Sequence, residues 1–125
     1  MNVWLLVAAI NGALAVAAGA FGAHGLQGRL DAHALQIFET AARYHMYHAL
    51  AIGLAAMAIR DAAAGAAATA CAFFLGGILL FSGSLYLLAL TDARGFAFVT
   101  PFGGLSFIVG WCALALAATR VIERQ

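Results

Sequence analysis

A chain of 125 residues is long enough for one domain and not for two. Hydrophobic residues make up 66% of it and charged residues only 9%, with a mean hydropathy of +1.00, which leaves too little charge to cover a water-soluble domain. The formal net charge of +1 comes from six arginines, no lysine and five acidic residues, and it excludes the basic stripe that nucleic-acid binding needs.

The first apolar run covers residues 3–23 and is long enough to span a bilayer. Ala18-Gly19-Ala20 looks like a signal-peptidase site, but no Lys or Arg precedes the run and signal h-regions are shorter, so a retained span is expected. Gly22 and Gly25 suit the end of this helix. Residues 31–40 differ: His33, Gln36 and Glu39 interleave with Ala34, Leu35 and Phe38 at helical spacing, and Asp31 can cap the segment. This pattern predicts a short amphipathic helix at the membrane surface, leading into a second span over 41–59.

Arg60-Asp61 is a very short polar break, so the second and third helices should form an antiparallel hairpin. The third span, 65–90, exceeds what a straight crossing requires. Tilt, or an irregularity near Gly76-Gly77 or Ser82-Gly83-Ser84, would absorb the excess. Thr100-Pro101 reads as a helix start, because threonine can cap and proline is tolerated at the first helical position. The fourth span is 101–119. The expected fold is therefore all-α, a single membrane domain over residues 1–125. It is an integral bundle of four transmembrane helices with an interfacial helix between the first and second. Arginines are shared equally between the two sides, so charge barely orients the chain. The arginine-bearing tail tips the reading toward a multi-pass inner (cytoplasmic) membrane protein with both termini in the cytoplasm.

Small residues mark the expected packing faces: Gly12, Gly19, Gly76, Gly83, Gly103 and Gly110 let helix backbones approach. The Gly12–Gly19 and Gly103–Gly110 pairs share a seven-residue spacing, which recurs in any membrane bundle as readily as in a transporter repeat. Cys71 and Cys112 both lie in apolar runs and read as small hydrophobes. Trp4 suits an interfacial anchor, and Trp111 a packed position.

Polar residues that could carry chemistry gather around His24, around Tyr44 and His48, and around Ser82, Ser84 and Tyr86, the last near Thr100. Ionisable groups inside a membrane need partners, so these residues are expected to meet, as a hydrogen-bonded clasp or as a ligand site. His45 and His48, three apart, suggest a metal or haem site, yet no carboxylate or thiolate lies beside them at ligand spacing. Ser82 and Ser84 have no acid–base partners nearby in sequence and read as packing residues rather than nucleophiles.

The stretches Gly19-Ala20-Phe21-Gly22-Ala23-His24, Tyr44 with His48, Leu80-Phe81-Ser82-Gly83-Ser84-Leu85-Tyr86 and Thr100-Pro101-Phe102-Gly103-Gly104 resemble a small membrane family catalogued as domain of unknown function number 423. It looks related to the animal transmembrane protein 256. The resemblance covers residues 5–118 and implies a four-helix inner-membrane protein; it supplies no substrate and no cofactor. It also implies histidine at the positions of His24 and His48 but glutamine at that of His45, which leaves His24 with His48 as the better metal pair.

Three functions compete. A binding or accessory protein, holding a membrane lipid, a small apolar ligand or a partner helix, suits glycine-rich faces and a single polar cluster. A small transporter would work as a homo-oligomer and needs ionisable residues near the midplane. A membrane enzyme or metal protein would require a denser polar site. They rank in that order.

Overall fold

Long apolar runs without water must satisfy their own backbone, and the α-helix does so within one segment. In a computed structural model that describes residues 1–122, this produces four long helices. They are Val3–Gly25 (α1), Ala32–Met57 (α2), Ala64–Thr91 (α3) and Thr100–Ile122 (α4). Helices α1, α3 and α4 are long and apolar enough to cross a membrane.

Local sequence sets the ends. Asn2 caps α1 by accepting from the Leu5 N–H at 3.1 Å, and Asp31 caps α2 by accepting from the Ala34 N–H at 2.8 Å. Between them the chain turns through Gly28, whose φ of +77° favours glycine. After α3, Asp92 closes the helix in the left-handed conformation, and a short 3-10 turn at Arg94–Phe98 leads to Thr100 and Pro101 in the first turn of α4.

The expected interfacial helix is not a separate element. Residues 31–40 form the Asp31 cap and first turns of α2, which runs on without a break to Met57. Nothing between Glu39 and Tyr44 can stop a helix, since the stretch holds no glycine or proline. The irregularity expected in the third helix does occur: a π turn at Ile78–Ser82 interrupts α3, immediately before Gly83. A second π turn, Phe21–Gly25, ends α1.

Successive helices run antiparallel. Asn2 donates to the Ala56 carbonyl at 3.3 Å, tying the start of α1 to the end of α2. The main apolar core lies where α2, α3 and α4 meet, around Ile52, Cys71, Phe74 and Phe107. Helix α1 packs chiefly on α2, and α4 chiefly on α3. Helices α2 and α4 therefore flank α3 with a lengthwise cleft between them.

The glycines divide sharply. A Cβ on Gly103 would run into the backbone of Leu80 and Phe81, one on Gly110 would lie 2.7 Å from the Phe74 ring, and one on Gly77 would enter the Phe107 ring. These three mark the seam where α3 and α4 approach most closely. Gly76 faces Ser106 at ordinary contact distance. Gly12 and Gly19 face open space, and a Cβ on Gly83 would meet only the Ile78 carbonyl of its own helix. The expected packing roles of Gly12, Gly19 and Gly83 are corrected accordingly: α1 rests on α2 through other faces, for instance Ala8 against Gly53.

Candidate functional site

Helix α2 carries two buried histidines, and each uses both ring nitrogens. His48 Nδ1 lies 2.8 Å from the Tyr44 carbonyl, and the Trp111 indole N–H donates to His48 Nε2 at 3.2 Å. A carbonyl can only accept and an indole N–H can only donate. These partners fix a neutral imidazole with its proton on Nδ1. The ring lies flat on Phe107, with centroids 3.4 Å apart and planes 7° from parallel, and Phe74 packs against it at 5.7 Å.

His45 belongs to a different network. Its Nε2 lies 3.1 Å from Asn11 Oδ1 and its Nδ1 3.1 Å from the Tyr86 hydroxyl. The Asn11 amide N–H₂ donates to the Val7 carbonyl at 2.9 Å, which turns Oδ1 toward His45 as an acceptor. His45 Nε2 therefore donates, and Nδ1 accepts from Tyr86. One imidazole thus joins α1, α2 and α3.

The residues singled out from sequence fall into separate places. Tyr44 packs with Phe81 (centroids 4.8 Å apart) and stacks near His48. Ser84 donates to the Phe81 carbonyl at 2.9 Å and shares a 2.6 Å hydrogen bond with Thr100, fastening the end of α3 to the start of α4. Ser82 is fully buried, and its hydroxyl has no partner among the described residues. It sits in the π turn, where the Ile78 carbonyl is taken by the Gly83 N–H.

His24 is exposed at the end of α1 and is not brought to His48. Its neighbour Gly22 abuts Phe38, ten residues before His48 on α2, or about 15 Å along the helix axis. The single cluster expected from sequence, and with it the His24–His48 metal pair, gives way to distinct networks. The reason is geometric: α2 begins at Ala32 rather than near residue 41, so His48 lies past the middle of that helix, toward the end that packs on the start of α1, whereas His24 stands at the other end. Among the described residues no group of three or more His, Cys, Asp or Glu side chains gathers to hold a metal ion.

Sequence reasoning missed Asn11 and undervalued His45 and Trp111. Asn11 was legible in principle as the lone amide within the first apolar run, since such a group needs a partner in another helix.

In the cleft between α2 and α4, His48 forms part of the wall of a groove of about 440 Å³ lined by Tyr44, Tyr47, Phe81, Phe107, Ile108 and Trp111. Its walls are almost wholly aromatic and aliphatic. Both histidine nitrogens are already bonded, so what this groove offers an occupant is ring faces and apolar contact.

Helices with apolar exteriors, the buried histidines paired inside and small residues at the closest seam define an α-helical membrane protein. The chain belongs to the family described as "Protein of unknown function (DUF423)", whose model matches residues 18–104. It is 42% identical over 123 residues to the UPF0382 membrane protein YwdK of Bacillus subtilis, covering 98% of this chain and all of that one. It is 43% identical over 122 residues to a UPF0382 membrane protein of Staphylococcus saprophyticus, covering 97% of this chain and all of that one. It is also 42% identical over 117 residues to the UPF0382 inner membrane protein YgdD of Escherichia coli, covering 94% and 89% of the two chains. No solved structure matches the chain.

Proposed function

We propose that this chain is a non-enzymatic binding protein of the inner membrane that crosses the bilayer four times and holds an apolar membrane molecule in its aromatic groove. The observation that carries the reading is the groove itself: five aromatic rings and Ile108 around a space of about 440 Å³. Its contact chemistry suits an acyl chain or a flat apolar ring. Tyr44 and Tyr47, which line it, carry hydroxyls able to engage a single polar group on such a ligand. The two histidines support a binding role over a proton-coupled transporter, because each nitrogen is held by a fixed partner.

The fourth crossing is α2. It carries polar residues that α1, α3 and α4 lack, but it holds much of the buried surface and is flanked by α1 and α3. A helix shielded by its neighbours need not be apolar all round. In a cysteine-free background, single cysteines at Asn2 and Arg60 should label from one side of the membrane and one at Arg94 from the other. Labelling of Arg60 and Asn2 from opposite sides would remove α2 as a crossing. The relative named as an inner membrane protein supports that location, and the charged α4 tail supports cytoplasmic termini.

The binding reading is tested by native mass spectrometry of protein extracted in mild detergent. Wild type should carry a lipid-sized adduct. Ile108→Trp should fold and lose it, because the indole fills the groove without touching the bonds of His48. An adduct-free wild type, or an adduct that survives Ile108→Trp, would show that the groove is empty surface.

A further inference from the structure

The cleft between α2 and α4 does not end at the aromatic groove. Beyond the Trp111–His48 bond it reopens toward the opposite end of the molecule. There Leu54 and Ala58 of α2 and Leu114, Ala118 and Val121 of α4 line an apolar trough of about 380 Å³. Leu54, Ala58 and Val121 also line the adjoining pocket of about 400 Å³, whose other walls include Met57, Ala62, Ala63, Arg60 and Arg120. An apolar channel on the lipid-facing side thus runs into a mouth that carries two exposed guanidinium groups.

We infer that this half of the cleft is a binding site for one anionic phospholipid, with an acyl chain along Leu54, Leu114 and Ala118 and the phosphate between Arg60 and Arg120. Three features point to this occupant. The trough lies on the outer flank of apolar helices, where acyl chains are the surrounding solvent. The arginines stand at the last turn of α4 and just past the end of α2, so the mouth lies at headgroup depth. Planar guanidinium groups bind phosphate oxygens in pairs. A partner helix of this or another chain would fill the trough but would not need two cations at its mouth. The site shares no lining residue with the aromatic groove and stands whether or not that groove holds a ligand.

The test uses full-length protein in nanodiscs or mild detergent, with phosphatidylglycerol and phosphatidylcholine of identical acyl chains as probes. Phosphatidylglycerol should bind as a single adduct that resists collisional removal and should raise the thermal midpoint, while phosphatidylcholine does so far less. Arg60→Gln with Arg120→Gln should weaken phosphatidylglycerol binding roughly thirtyfold, from the loss of two basic contacts near the membrane surface. Because both side chains are exposed, the variant should keep its unfolding midpoint in lipid-free detergent. Ala118→Trp, which blocks the trough and keeps both arginines, should weaken binding as well. Equal binding of the two lipids, or a preference that survives the double variant, would overturn the inference. So would glycerol 3-phosphate matching the effect of the lipid, since it would reveal a bare anion site without an acyl channel.

Discussion

His45 and His48 sit three residues apart on one helix, and both are buried with both ring nitrogens bonded. Yet they do different things. Three residues turn a helix through about 300°, so the two rings point about 60° apart and meet different neighbours. His45 faces α1 and α3 and finds polar side chains, Asn11 and Tyr86, so it serves as a tie between helices. His48 faces the cleft. One of its bonds is to its own helix, the other is to an indole on α4, and its flat face is spent on Phe107. The tie is a matter of hydrogen bonds in a dry interior, whereas the wall is a matter of ring packing beside an open groove. A buried histidine in a membrane helix is therefore not a functional assignment until its partners are known.

The largest effect should come from prying apart the seam that His48 depends on. Gly103→Leu would drive a side chain into the Leu80–Phe81 backbone and force α4 off α3, at a cost of about 3 kcal/mol or more. The measurement is thermal unfolding in detergent, together with Trp111 fluorescence in a Trp4→Phe background. Emission should shift while a Tyr86 signal from the His45 network stays intact. A normal midpoint would contradict the close approach at Gly103.

His48→Ala comes next. It removes a ring from the Phe107 and Phe74 stack and leaves the Trp111 N–H unpaired, for an expected loss of about 2–4 kcal/mol in the same melting assay. His48→Phe should recover part of that loss by restoring a ring against Phe107. If phenylalanine restores nothing, hydrogen bonding and not stacking holds His48, and the contrast with His45 collapses.

For His45 the pattern should invert. His45→Leu keeps the volume but strands Asn11 and Tyr86, and should cost about 1–2 kcal/mol, the scale of hydrogen bonds between membrane helices. His45→Gln should lose little, because an amide also offers one donor and one acceptor along the chain from Asn11 to Tyr86. Equal losses for leucine and glutamine would mean that shape, not hydrogen bonding, decides this site as well.

The smallest effects mark the surface outside both networks. Gly12→Ala and Gly83→Ala place a methyl where no other helix lies in contact. Both should leave the midpoint unchanged or raise stability by up to about 1 kcal/mol, through better helix propensity and a more restricted unfolded chain. A clear loss at either would show that another helix packs there.

Much of the architecture was legible from composition and spacing. Hydropathy marks three long apolar helices, Asp31 and Thr100-Pro101 mark two helix starts, and the length of the third helix signals the irregularity near Ser82. These are properties of single segments, set by backbone satisfaction and local caps, and a sequence carries them directly. That residues 31–40 continue into α2 was also written locally, in the absence of any breaker before Tyr44. The sites were a different matter. Starting the second helix near residue 41 grouped His24 and His48 on one side of the membrane, but α2 begins ten residues earlier, at Asp31 and Ala32, and carries His48 past its middle, away from His24. Which face each helix turns to its neighbours decided the rest. Rotation of α2 sent His45 to Asn11 and Tyr86 and His48 to Trp111, and the tight seam at Gly103 and Gly110 set α4 against α3. That packing left the cleft beside α2 open, because helix rotation and approach distance are fixed by many side-chain contacts at once and by no single motif.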